Sequence, residues 1–147
     1  MNRDTRLSDV LHVLLHLSQK EGPVTSESLA RVMGTNPAVF RRMMAGLREA
    51  GHVRSGKGHG GGWQLARPLG EITLLSVYEA LDRPNLFAIG YRSDSPNCRV
   101  ERAVNTLMAD TMAEAGALFV RRFGEVSLDQ LLPDPGQPIA LHDSAHE

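Results

Sequence analysis

Apolar positions three and four apart dominate the first fifty residues and predict three helices. Leu7, Val10, Leu11, Leu14 and Leu17 form one stripe, giving a helix over residues 5–20 that opens on Asp4 or Thr5 and stops at Gly22-Pro23. Leu29, Val32 and Met33 mark a shorter helix, with Thr25 as N-cap and Gly34 as its end. Val39, Phe40, Met43, Met44 and Leu47 mark the buried face of a third. Asn36 caps that helix, Pro37 stands where a missing N–H is tolerated, and Gly51 closes it at a position that favours left-handed dihedrals.

The helical period then gives way to two short strands, HVRS (52–55) and WQLARP (63–68), flanking the run GKGHGGG. This reads as a β-hairpin with a thin, mobile, positively charged tip carrying Lys57 and His59, and with Trp63 closing its base over the core. Leu74, Val77, Tyr78 and Leu81 predict a further short helix over 74–81, capped by Thr73 and broken by Arg83-Pro84-Asn85. Residues 83–97 form a connecting loop in which Leu86, Phe87 and Ile89 are expected to tuck under the domain and SDSPN to lie at the surface. The longest helix runs from about Arg99 to Phe123. Its stripe of Val100, Val104, Leu107, Met108, Met112, Ala115, Phe119 and Phe123 is too long for one small domain to cover, and is expected to meet a second copy. Ala113, Gly116 and Ala117 would let a partner backbone come close. Residues 133–147, with three prolines and no apolar period, are expected to be a flexible tail.

A short helix, a glycine turn and a second helix make a helix-turn-helix. In that arrangement the first helix crosses the DNA backbone and the second places its N-terminal residues in the major groove. Ala38, Arg41 and Arg42 would then lie near base edges, and the planar arginine fork suits guanine. Thr25, Ser26 and Ser28 sit at a helix N-terminus, a natural place for phosphate. An αα-hairpin without DNA contact would share the helix pair; the basic hairpin that follows favours DNA. The expected DNA-facing set is Thr25, Ser26, Ser28, Asn36, Ala38, Arg41, Arg42, Lys57 and His59.

Charge distribution agrees with this layout. The chain's net charge is only −1, but residues 1–72 carry ten Lys/Arg against six Asp/Glu, a net of +4, while residues 73–147 carry six against eleven, a net of −5. The 147 residues, 41% of them apolar, suit one domain or a small domain with an extension. No run approaches a membrane span, the N-terminus lacks a signal-peptide core, and a single cysteine fits a reducing compartment, so a cytoplasmic location is expected.

Several chemistries are set aside. Gly56 to Gly61 satisfies GxGxxG, but a strand-like WQLARP follows instead of the helix whose N-terminus would hold a pyrophosphate. His12 and His16 share a helical face, but no HExxH frame and no third ligand accompany them, so they read as ordinary helix histidines and no metal is expected. No Ser/His/Asp arrangement or paired-carboxylate motif emerges, and the chain is not expected to be an enzyme.

The run GHGGGWQLARPLGEITLLSVYEALD resembles the signature region of the Rrf2 family of bacterial transcription regulators. The GGGW-x-L-x-R-P tract, the I-T-L-x-x-V-x-x-A segment after it and the upstream helix-turn-helix all fall in order, and the similarity spans roughly Thr5 to Leu132. Ser127–Leu132 resembles the family's terminal helical turn. The resemblance implies a homodimeric DNA-binding repressor or activator, contacting double-stranded operator DNA through the positions matching Arg41, Arg42 and Lys57. It also implies a fold that is mainly α with a small β-hairpin wing: a winged helix-turn-helix over 1–82, the loop 83–97, the dimerisation helix with its terminal turn over 98–132, and the tail 133–147.

Well-known family members hold an iron–sulfur cluster with three cysteines near the position of Cys98. Here Cys98 is alone and Glu101 stands where one cluster-binding branch has histidine. One thiolate does not hold a cluster that needs four ligands, so no cofactor is expected. Cys98 instead precedes a long helix and is flanked by Arg99 and Arg102, both conditions that lower a thiol pKa. The expected function is a homodimeric DNA-binding transcription regulator, a repressor, responding to oxidation or modification of Cys98. The alternative is a winged-helix protein-interaction or small-ligand module without sequence-specific DNA binding.

Overall fold

The computed structural model describes residues 3–91 and 97–133. Helix α1 (Arg6–Ser18) lies at the centre of the packing and buries Val10, Val13, Leu14 and Leu17. Thr5 holds its N-cap position, but the Thr5 hydroxyl donates to Asp9. Asp4 does the capping chemistry, accepting from the Arg6 backbone N–H at 3.1 Å and pairing with the Arg6 guanidinium at 2.6 Å. Helix α2 (Ser26–Met33) begins with Thr25 accepting from the Ser28 N–H and ends at Gly34, whose φ of +58° is left-handed.

Helix α3 (Pro37–Glu49) is fixed at both ends. The Asn36 side chain accepts from the Ala38 N–H at 2.8 Å. At the other end Gly51 adopts φ +81°, the Gly51 N–H reaches Arg48 O, and the His52 N–H reaches Leu47 O, the paired bonds of a Schellman motif. Between these ends Phe40, Met43, Met44 and Leu47 face inward.

Strands β1 (Val53–Ser55) and β2 (Trp63–Leu65) pair antiparallel, Val53 with Leu65 and Ser55 with Trp63. The second strand ends at Leu65, short of Pro68 where the sequence pattern placed its end. The chain bends at Ala66, whose N–H still donates to His52 O, and Arg67 turns back so that its Nε donates to Gly51 O at 2.9 Å. Val24 adds an isolated rung on the other side of β2, exchanging 2.9 and 2.8 Å backbone bonds with Trp63. A Cβ on Gly62 would sit 2.6 Å from Val24 O, so the closeness of this rung requires glycine there.

A 3₁₀ turn (Leu69–Glu71) leads to α4 (Leu74–Ala80), which starts on a reciprocal capping box between Thr73 and Ser76. After α4, Asp82 and Arg83 take φ of 59° and 49° and swing the chain outward, and the Tyr78 hydroxyl donates to Pro84 O. Phe87 and Ile89 are 39% and 68% exposed, so they do not tuck under the domain as expected. The chain leaves α4 through the positive-φ pair Asp82 and Arg83, and Tyr78 packs edge-on against Phe119 and Phe123 at 5.3 and 6.4 Å. The segment SDSP (93–96) and residues 134–147, the bulk of the expected flexible tail, lie outside the described residues.

Helix α5 (Arg99–Gly124) buries none of its residues fully and meets α4 near its own C-terminal end. The chain then returns to the first unit. The Leu74 N–H donates to Val126 O, the Leu128 N–H donates to Ile72 O, and the short 3₁₀ turn Leu128–Leu131 inserts Leu128, fully buried, into the core. One cluster therefore joins α1, α2, α3, the hairpin, α4 and Leu128. The architecture is a mainly helical winged helix-turn-helix with a long helix attached.

Helix α3 packs on α4 at Gly46, where an added Cβ would lie 2.6 Å from the Ala80 carbonyl oxygen. Alanine favours a helix over glycine by about 1 kcal/mol, but crowding a packed site costs roughly 1–3 kcal/mol. Gly46→Ala is therefore expected to lower the urea midpoint of unfolding despite its better helix propensity. An unchanged or raised midpoint would show that α3 and α4 are not in fixed contact.

Candidate nucleic-acid interface

The face of α3 opposite its core residues is exposed and carries Ala38, Arg41, Arg42 and Ala45, and Val39, expected on the buried face, is exposed as well. The geometry follows from the helical repeat: with Phe40, Met43 and Met44 inward, positions 38, 41, 42 and 45 point out. Among the described residues, neither Arg41, Arg42 nor Lys57 takes part in an ion pair. Their charge is thus available to an external anion. Arg48, further along α3, is held differently: its Nη1 donates to Ser55 Oγ at 3.4 Å, and its guanidinium carbon lies 5.9 Å from the Trp63 ring. It joins the helix to the wing.

The wing tip runs from Gly56 to Gly62, with the Gly56 N–H bonded to Gly62 O and the Gly61 N–H to Gly58 O. Gly58 and Gly60 hold φ of 82° and 77°, conformations that leave the tip narrow, with Lys57 and His59 exposed on it. Arg54, exposed on β1, adds a third wing cation that the sequence reading passed over. Once Val53 is known to face the core, the next position along β1 faces out.

At the start of α2 the three hydroxyls have unequal duties. Ser26 Oγ accepts the indole N–H of Trp63 at 2.8 Å, so this residue fastens α2 to the wing base. Thr25 Oγ1 accepts from Ser28 and retains its own proton to donate. Ser28 is half-buried, and Asn36 is engaged with Ala38. The Ser26–Trp63 bond and the Val24–Trp63 rung bring the α2 N-terminus to the hairpin, while Arg48 and the His52 junction bring α3 to it. The structure thus ties both helices of the pair to one wing.

Three other candidates sit apart from this face. His16 is buried in the core at 5% exposure and His12 is half-buried; among the described residues no group of three His, Cys, Asp or Glu gathers to hold a metal. Cys98 is exposed at the N-cap position of α5. The backbone N–H groups of Glu101 and Val100 favour its thiolate and hold the thiol below its ordinary value. A cluster demanding three cysteine ligands does not fit a chain whose sole cysteine is Cys98, fully exposed and without a gathered ligand set. No described helix is long and apolar enough to cross a membrane.

A capped second helix whose arginines make no ion pair among the described residues, beside a glycine-tipped basic wing, is the arrangement of a winged helix-turn-helix. Residues 3–134 match the family model Rrf2, described as an iron-dependent transcriptional regulator. The chain is 28% identical over 130 residues to YwnA of Bacillus subtilis (strain 168), named as an HTH-type transcriptional regulator, covering 88% of this chain and 96% of that one. Its fold resembles a transcriptional regulator from Lactobacillus plantarum (TM-score 0.71, 21% identity, 86% of this chain and 87% of that one). It also resembles T. potens IscR (TM-score 0.62, 20% identity, 89% and 85%). The chain belongs to the Rrf2 family of transcriptional regulators, and it is a DNA-binding regulator, not an enzyme.

His16 and His52 are both buried, and burial holds both imidazoles below the ordinary value of 6.5. For His16 the charges of Lys20 and His12 act in the same direction; for His52 the Ser76 backbone opposes burial and Arg67 reinforces it. The folded state therefore prefers neutral rings, and the unfolded chain takes up protons first as pH falls. This contribution to stability is complete above the unfolded value and is lost as pH falls through it towards the folded values. The urea midpoint is expected to be higher at about pH 7.5 than at about pH 5.5. The difference should shrink in His52→Gln, whereas a midpoint that rises on acidification would contradict the buried neutral state.

Proposed function

We propose that the protein is a homodimeric repressor that binds operator DNA through α3 and its wing and responds to modification of Cys98. The observation that carries the DNA-contact reading is the exposed pair Arg41 and Arg42, free of ion pairs among the described residues, on a helix whose N-terminus is fixed by the Asn36 cap. In this reading Ala38, Arg41 and Arg42 meet base edges in the major groove. Thr25, Ser28 and Asn36 flank the phosphates, with Ser26 anchoring the wing beside them. Lys57 and His59 reach the neighbouring groove, with Arg54 behind them.

Dimerisation is supported by α5. Its 26 residues span about 39 Å at 1.5 Å per residue, and Val100, Val104, Leu107 and Leu118 are 70, 49, 69 and 50% exposed. An apolar row of that length on one protomer is best satisfied by a second copy. Repression then needs only occupancy, because a dimer seated on a promoter excludes the polymerase. Cys98 lies at the head of the same helix. Its thiolate sulfur would attack a peroxide oxygen, forming an S–O bond as the O–O bond breaks and hydroxide leaves, and the added group would alter the start of the dimer helix.

Binding to DNA from the promoter upstream of its own reading frame is expected to weaken steeply with salt. Arg41→Ala should reduce discrimination at one base pair by about 1–3 kcal/mol, whereas Lys57→Ala should weaken all sequences alike and lower the salt slope by about 1. No binding at low salt, or no effect of either change, would defeat the assignment and favour an interaction module instead.

Leu107→Glu is expected to sediment as a monomer, and Cys98→Ser to bind DNA normally but ignore hydrogen peroxide. A dimeric Leu107→Glu, or an undiminished peroxide response in Cys98→Ser, would remove that part of the reading.

A further inference from the structure

The other large apolar side chains of α3, Phe40, Met43, Met44 and Leu47, are all buried. Val39 is not. It is 37% exposed and belongs neither to the core cluster nor to the partly buried side chains packed against that cluster. Among the described residues before Phe87, no other large apolar side chain is as exposed.

A single exposed apolar side chain is ordinary on a protein surface, so the place of Val39 has to carry the argument. It is the third residue of α3, next to Ala38, whose N–H bonds to the Asn36 cap. A helix-turn-helix presents this end of its second helix to base edges. Arg42 follows three residues later, so the two are neighbours on the helix surface, and both line the open groove beside α4. The close contact with α4 comes at Gly46, two turns further on, and leaves Val39 exposed. A β-branched side chain in a helix holds essentially one rotamer, so the backbone fixes where its two methyls point, and little freedom is lost when they are covered. The major-groove edges of the bases offer donors and acceptors and one apolar group, the 5-methyl of thymine.

We propose that Val39 is a specificity-determining residue, packing its methyls on the 5-methyl of a thymine beside the guanine read by Arg42. The proposal rests on the reading of α3 as the helix in the major groove, and it adds a contact that no hydrogen bond makes. Val39 has no side-chain donor or acceptor. It therefore distinguishes thymine by shape and by apolar area removed from water. Covering one group of this size is worth about fourfold in affinity.

The test uses duplexes that the full-length protein selects from a random-sequence pool, resynthesised with deoxyuridine in place of each thymidine in turn. Uracil keeps every hydrogen-bonding group of thymine and lacks its methyl. The wild-type protein is expected to bind about fourfold more weakly when deoxyuridine stands at one position of the site, beside the base pair where Arg42→Ala loses discrimination. Val39→Ala should bind the thymine and uracil duplexes equally, with no fall in its urea midpoint. Val39→Ile should keep the wild-type preference. A selected site with no methyl response at any thymine, or a response that Val39→Ala leaves intact, overturns the role of Val39 while α3 keeps its place in the groove. Selection of no duplex above background defeats the reading of α3 itself, and the proposal with it.

Discussion

The structure depends most on how α3 is held. Its inner face is locked by Phe40, Met43, Met44 and Leu47, each 5% exposed or less, and its approach to α4 is set at Gly46 by the Ala80 carbonyl. Its ends are fixed by Asn36 and by the Gly51 turn. A helix so constrained has one outer face to offer, and that face carries Arg41 and Arg42. Base readout requires side chains placed to within about half an ångström, which long arginines achieve only on a backbone that does not shift. Under the proposed function, burial and recognition are two sides of the same thirteen-residue helix.

The wing shares this constraint. Its ladder has only three residue pairs, yet Trp63 in the pair next to the tip receives the Val24 rung, donates its indole N–H to Ser26, and lies under the Arg48 guanidinium. The tip beyond it is nearly all glycine and carries its cations on a thin loop. Rigidity is thus concentrated where the hairpin meets the two helices. Freedom is left where a groove of variable width would be entered.

Most of this was legible because its causes are local. Apolar spacing, the Thr25, Asn36 and Thr73 caps and the Gly34 and Gly51 stops all act within a few residues, and each helix lies close to where they put it. What escaped depends on distant neighbours. Val24 joins the sheet through one residue, too little to leave an alternating pattern. Phe87 and Ile89 read as core because they are apolar, but they follow the Asp82-Arg83 turn that carries the chain away from α4 and stay exposed. Ser26 looked like a phosphate ligand, and nothing near it in the chain reveals that Trp63 uses its oxygen. His52 gave no sign of burial, since histidine after a glycine turn is usually at the surface. The exposure of Arg41 and Arg42 opposite the apolar stripe of α3 follows from the helical period alone, whereas that of Arg54 required knowing which face of β1 is inward.

Helix α5 completes the picture from the opposite direction. It is long, apolar along one side and, unlike α3, buries none of its residues fully. The most direct test of the central claim is a backbone amide NMR map of the ¹⁵N-labelled protein with and without DNA from its own promoter. The largest changes are expected at residues 25–28, 36–42 and 54–60, with the buried face of α3 little affected. Changes confined to α5, or spread evenly without preference for α3 and the wing, would contradict the claim that the fixed helix and its hairpin form the DNA-contacting surface.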